Sequence, residues 1–430
     1  MNILIRDTNI LTMESEEIIK GNIGIVDSEI AFCGVTPYEF IPDEVIDGQG
    51  TITMPGLINA HTHAAMSLMR NYADDLPFWP WLTEKIWPIE EKLTGDHVYH
   101  GTMLSIVEMI RSGITTFADM YMFMDEVAKA VEITGIRANL SRGIAGSASD
   151  IKSLAKLKES EEFFNKYNNS SDGRIKVDLG PHAPYTCDKE YLLHVIELAK
   201  KLDARLHIHL SESKKEVEDS YKAHGMSPIQ YMNELGLFEC KTMAAHCVHI
   251  DDKDIAILKE KNVSVLNNPG SNMKLANGFS PVSKLLDSGV NVALGTDGSA
   301  SNNNLNMFEE MNYASLVNKA TTFEPTAVPA FKALQMATIN GAIALGIDDK
   351  VGTITAGKKA DLIMIDIEKA HFYPKYNLIS SLVYSAQASD VMNVIINGKV
   401  IMQDYKITTV NEKEILINSD KYAKNLTMDL

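Results

Sequence analysis

Between residues 51 and 300, short β-type runs alternate with longer helical patterns, and that alternation restricts the chain to very few architectures. Eight such runs can be read. They are TITMPGLINAHTH ending at His63, GITTFADM at Met120, RANLSRGI at Ile144, IKVDLGPHAP at Pro184, RLHIHLSES at Ser213, KTMAAHCVHI at Ile250, SVLNNPGSN at Asn272 and NVALGTDGSA at Ala300. Helical stretches such as Lys189–Leu202 and Lys214–Leu235 lie between them. Such alternation implies βαβ units and a parallel sheet, and eight units suit a closed (β/α)₈ TIM-like barrel. An open doubly wound sheet also alternates, but it does not predict chemistry at the end of nearly every strand. Here His61, His63, Asp119, Arg142, His182, His209, Glu212, His246 and Asp297 all fall at strand ends, where a barrel keeps its catalytic groups.

The flanks read differently. VGTITAGKKADLIMID and DVMNVIINGKVIMQD, like the first fifty residues, show short alternating strands punctuated by Gly, Asp and Asn. Neither flank is large enough to bury a core alone. The expected organisation is a small composite β-sandwich domain from residues 1–54 plus 351–430, beside a barrel over residues 55–350.

The net charge of −17 would repel a polyanion, which argues against nucleic acid and leaves a small neutral or zwitterionic substrate. No apolar run approaches the roughly 18 residues of a membrane span, and the N-terminus has neither the apolar core nor the cleavage site of a signal peptide. Cys33, Cys187, Cys240 and Cys247 form no C-x-x-C pair, so reduced thiols in a cytoplasmic protein are the expectation. Self-association into a homo-oligomer is compatible with this surface.

The sharpest motif is His61-Thr62-His63. Alternate residues of a strand share a face, so both imidazoles can point into the barrel mouth and supply half of a tetrahedral zinc site. Alone, H-x-H is weak. His207 and His209 share a face in RLHIHLSE, and Asp297 ends the eighth run, where a buried carboxylate needs a cation or donors. His61, His63, one histidine of the fifth strand and Asp297 thus form a His₃Asp set with room for water.

PGLINAHTH, HIHLSE, AAHCVH, LGTDGSASNNN and GTITAGKKADLIMID together resemble the amidohydrolase superfamily over nearly the whole chain. Within it, WPIEEKLT with Arg142 and His182 resembles the 5-methylthioadenosine/S-adenosylhomocysteine deaminases. The resemblance implies that His61, His63, His209 and Asp297 are the metal ligands, with one Zn²⁺ per subunit, and that His207 supports them from outside. Many relatives hold two metals bridged by a lysine at the fourth strand end. Here that end reads GPHAP and Lys176 sits near the strand start, so one metal is expected.

One divalent metal on such a set lowers the pKa of its bound water toward about 7. Glu212 is placed to move the water proton to a ring nitrogen, His246 to hold the nucleophile, and Asp297 to relay a proton to departing ammonia; the resemblance implies the same roles. It further implies that Glu90 grips the ribose hydroxyls, His182 contacts the nucleoside and Arg142 reads the far end. Glu91 leaves the register of Glu90 open, and residues 143–173 lack a second arginine. Trp79, Trp81, Trp87, Met66, Met120, Met122 and Met124 are candidates for an apolar pocket, although core packing explains such residues as well. The expected reaction is hydrolytic deamination of 5-methylthioadenosine or S-adenosylhomocysteine. The rivals are deamination of adenosine, 5′-deoxyadenosine or another aminated ring, halotriazine hydrolysis, and a non-catalytic metal-binding protein, which would have no need of proton shuttles.

Overall fold

In the computed structural model, which describes residues 1–427, eight parallel strands form a barrel. They are Leu57–Thr62, Ile114–Tyr121, Arg137–Ile144, Ile175–Pro181, Leu206–Leu210, Thr242–His246, Ser264–Asn267 and Val292–Leu294, each hydrogen-bonded to the next. The last and first strands are joined by the residues that follow them. Asp297 N–H donates to the His61 carbonyl at 2.9 Å, and the buried Asn59 amide donates to Thr296 Oγ1 at 2.7 Å. Strands buried on both faces read as near-continuous apolar runs, and small residues (Ala60, Ala118, Ala245, Ala293) fill the barrel interior. No helix among the described residues is long and apolar enough to cross a membrane, and all four cysteines are free.

Strands from the two flanks share a single mixed sheet of nine strands. The N- and C-terminal parts meet where Thr51–Pro55 runs antiparallel to Leu362–Asp366. At the other edge, Glu29 bridges to Lys359, so the sheet folds over a core that includes Ile3, Ile25, Ile30, Leu362 and Ile395. The run beginning TITMPGLINAHTH is therefore two strands in two different sheets. Gly56 is the corner between them: a Cβ there would lie 2.1 Å from Thr115 Oγ1, so the buried Thr115 side chain fills the space that any side chain at 56 would need.

A buried ion pair ties the sheet to the barrel. Arg137, opening the third barrel strand, donates to Asp361 Oδ2 at 2.7 Å and Oδ1 at 2.9 Å. Removing one partner of such a pair strands a buried charge, at a cost of about 3–5 kcal/mol.

Two helical expectations change. Lys189–Leu202 is a helix as read. Lys214–Leu235 is two helices, Lys214–His224 and Pro228–Glu234. Gly225 closes the first in the left-handed region, and Ser227 caps the second with Pro228 at its first turn; proline is tolerated there and not in a helix interior. The C-terminal flank also carries a helix, Glu412–Thr427. It lies against the barrel helix Gly95–Arg111 through Ser419 Oγ to the His100 carbonyl (2.9 Å) and a Tyr422–His100 stack.

Candidate functional site

The C-terminal ends of the barrel strands open into a cavity of about 270 Å³. Seven of the nine residues expected at the site line it: His63, Glu90, His182, His209, Glu212, His246 and Asp297. His61 lies just beneath, fully buried, with its ring 5.0 Å from that of His63 and 4.9 Å from that of His209. Arg142 is absent from the wall.

The second-strand and fourth-strand ends fix the tautomers of two histidines. His63 Nδ1 lies 2.6 Å from the Met120 carbonyl, and His209 Nδ1 lies 2.7 Å from the His182 carbonyl. Since a carbonyl only accepts, both Nδ1 atoms carry the proton and both Nε2 atoms turn a lone pair inward. Those two lone pairs face each other at 3.4 Å, and Asp297 Oδ1 lies 3.3 Å from His63 Nε2 and 3.4 Å from His61 Nε2. The buried His61 Nε2 finds no hydrogen-bond partner among the described residues. Electron pairs converging on one point require a cation between them. His61, His63 and Asp297 form one such group of donors, and His61, His209 and His246 another. The donor set fits a divalent metal of the borderline-soft kind. Outside it, His207 Nε2 lies 2.8 Å from His61 Nδ1, the orienting place expected of it.

Electrostatics agree. Burial, followed by the neighbouring imidazoles, keeps His209 and His207 well below the ordinary histidine range. Burial likewise lowers His61 and His182 to about 4. These rings are neutral at pH 7 and free to ligate. Asp297 is held well below the usual carboxylate range, because the adjacent His61 and His63 rings favour its charged form and overcome the opposing effect of burial. His63 is pushed up to about 9 against burial by Asp297, which shows how strongly this carboxylate demands positive charge beside it.

A glutamate at the start of a helix is commonly a solvated residue that opens it. That work is done by others: Ser213 caps the helix Lys214–His224, and Glu216 accepts from the Ser211 and Glu212 N–H groups at 2.9 and 2.8 Å. Glu212 is left facing the cavity. Its Oε1 accepts from Asn277 at 3.0 Å, and its Oε2 lies 3.7 Å from His246 Nε2. Burial first, then the charge of Asp297, push its carboxyl well above the usual range. His246 Nδ1 lies 2.8 Å from Asn272 Oδ1, so it is the donor, and Nε2 points between Glu212 and Asp297. Ser211, His246 and Asp297 all have positive φ (53°, 73° and 63°). Such strain costs of order 1–3 kcal/mol per residue and gathers at functional sites.

In the same cavity, Tyr121 donates to Glu90 Oε1 at 2.8 Å, leaving Oε2 available. Glu90 lines the cavity while Glu91 is exposed, which resolves the register. Among the apolar candidates Met66, Trp81, Trp87, Met120 and Met122 line the cavity, whereas Trp79 and Met124 line separate clefts. Arg142, expected at the far end of the site, lies outside this cavity. Its guanidinium pairs with Glu159 in a neighbouring cleft with Asp125 and Lys166. The cationic side chain of Lys or Arg type that lines the cavity is Lys156, on the helix Ile151–Tyr167. Tyr121, Asn277 and Lys156 were not singled out from the sequence. Only Tyr121, at a strand end, offered a signal.

Residues 52–401 match the model of the amidohydrolase family. The chain is 54% identical over 428 residues, 99% of each chain, to a 5-methylthioadenosine/S-adenosylhomocysteine deaminase of Thermoanaerobacter pseudethanolicus. It is 47% identical, over 99% of this chain and 98% of the other, to a 5′-deoxyadenosine deaminase of Methanosarcina mazei. A solved adenosine deaminase from Xanthomonas campestris with bound zinc is 32% identical, covers 99% of this chain and 98% of its own, and superposes with a TM-score of 0.94.

Proposed function

Because this chain belongs to the amidohydrolase family, we propose that it deaminates 5′-substituted adenosines hydrolytically, 5-methylthioadenosine and S-adenosylhomocysteine above all. The observation that carries this reading is Glu212, His246 and Asp297 converging in one cavity that Glu90 also lines. His61, His63, His209 and Asp297 would hold a single zinc ion, which when bound acidifies the attacking water. Glu212 takes the proton from that water and delivers it to ring nitrogen N1 as the oxygen bonds to C6. His246 Nε2, unprotonated while Nδ1 donates to Asn272, accepts a hydrogen bond from the attacking water and holds it in place for the attack. Asp297 passes the second water proton to the amino group, the C6–N bond breaks, and ammonia leaves with the purine as hypoxanthine. The free cysteines support a reducing, cytoplasmic setting.

The direct test is ammonia release and the adenine-to-hypoxanthine ultraviolet shift across 5-methylthioadenosine, S-adenosylhomocysteine, 5′-deoxyadenosine and adenosine. If none is deaminated, the nucleoside reading fails. The same panel reads the far end of the site. Lys156→Ala is expected to lower kcat/KM for S-adenosylhomocysteine by about tenfold or more while sparing methylthioadenosine, since only the former carries a distal carboxylate for the ammonium. Equal losses on both would show that Lys156 only supports the wall.

Glu90 supports a ribose over a triazine, because a half-buried carboxylate lining the cavity with one oxygen free suits a vicinal diol. Glu90→Ala should therefore damage kcat/KM for adenosine-type substrates with the metal retained, and Tyr121→Phe should do so to a lesser degree. A 2′,3′-dideoxy analogue should be poor for the unaltered enzyme and nearly indifferent to either substitution. Losses as large on the dideoxy analogue as on the ribonucleoside would remove Glu90 from diol recognition.

A further inference from the structure

We propose that Glu310 is a positioning residue that aims the Asp297 carboxylate, acting from behind through the two loops that flank it. The proposal rests on the metal reading above and extends it. Glu310 lies on the helix Met307–Thr322 and is fully buried. Its oxygens meet two neutral donors: Gly270 N–H at 3.0 Å to Oε2, and the Asn302 amide at 2.7 Å to Oε1. A carboxylate buried against neutral donors is costly, and a fold needing only volume there would be better served by an apolar side chain.

Each donor leads to Asp297. Gly270 precedes Ser271, whose hydroxyl donates to Asp297 Oδ2 at 2.7 Å. Asn302 donates from the same amide nitrogen to the Thr296 carbonyl, also at 2.7 Å, and Thr296 is the residue before Asp297. Asp297 itself sits at φ 63°, a conformation that persists only where its surroundings over-determine it. With Ser271 on Oδ2 and the Gly298 N–H on Oδ1 at 2.8 Å, the remaining face of Oδ1 is directed at His61 and His63. The packing leaves no slack: a Cβ on Gly270 would lie 2.5 Å from Glu310 Oε1 and 2.8 Å from Asn302 Oδ1. Two converging N–H donors call for two acceptor oxygens. Glutamine would supply one, and would set an amide NH₂ against a second donor.

The experiment measures zinc affinity by competition with a chromophoric chelator, alongside kcat and KM for methylthioadenosine, in the full chain and in E310Q, S271A and the double variant. Groups that orient metal ligands typically cost 10- to 100-fold when lost. E310Q and S271A are each expected to weaken zinc by about that much and to lower kcat at saturating zinc with KM near normal. The double variant should lose less zinc affinity than the two single losses combined, because one of the two routes from Glu310 to Asp297 runs through Ser271; fully additive losses would overturn the proposal. Wild-type zinc affinity in S271A would overturn it as well, with no need for E310Q to fold. Failure of the unaltered chain to hold zinc would instead overturn the metal reading itself.

Discussion

Alanine in place of His61, His209 or Asp297 is expected to abolish turnover and metal retention together, the largest effect foreseen for any single substitution in this chain. His63 and His209 turn unprotonated Nε2 atoms to the same point, and Asp297 Oδ1 lies within 3.4 Å of both His61 and His63 Nε2. An open site of four protein donors has no spare ligand, and the loss should exceed the 10- to 100-fold typical of groups behind the ligands. The purified protein should carry close to one zinc per chain, chelation should remove activity, and zinc should restore it. Elemental analysis returning two tightly held metals would overturn the single-metal assignment. So would a fully active protein stripped of metal.

That donor set was legible because its geometry is local or follows from barrel closure. His61 and His63 share a strand face by the two-residue period, and the first and eighth strands are neighbours in any closed barrel. What escaped depended on packing between distant segments. Tyr121 meets Glu90 across 31 residues, and nothing in either local sequence announces the partner. Arg142 sits at the expected strand end, yet Glu159 on the following helix draws its side chain out of the cavity, and Lys156 one turn earlier takes the wall. Which residues of that helix face inward is set by its docking on the barrel. The junction at Gly56 failed differently. TITMPGLINAHTH is continuous in β character, and only the approach of Thr115 shows where one sheet ends and the other begins. The break between Lys214–His224 and Pro228–Glu234 was legible after all, in Gly225 and the Ser227-Pro228 cap. The helix Glu412–Thr427 buries only Ile415, Ser419 and Leu426 along its length, too sparse an apolar stripe to stand out in a segment read as β-rich.

Glu212→Gln is the substitution that separates proton transfer from metal binding. Glu212 belongs to neither donor group around His61, so zinc content should stay near one per chain. Its Oε1 accepts from Asn277 at 3.0 Å; the glutamine carbonyl can keep that bond, which holds the side chain in place and spares the fold. What glutamine cannot do is take a proton from water and release it to a ring nitrogen. In this site the wild-type carboxyl is suited to both halves of that cycle. Burial and the charge of Asp297 raise its proton affinity well above that of an ordinary glutamate, so it holds the water proton more firmly than an ordinary glutamate would. The expected result is a kcat lower by about 10²- to 10⁴-fold, the usual scale for a general acid–base group, with KM little changed because Glu90 and Tyr121, proposed to hold the ribose, are left intact. A solvated helix-opening residue would show no such loss. Near-normal turnover in a zinc-replete Glu212→Gln protein would therefore remove Glu212 from the mechanism and leave His246 and Asp297 to carry both protons.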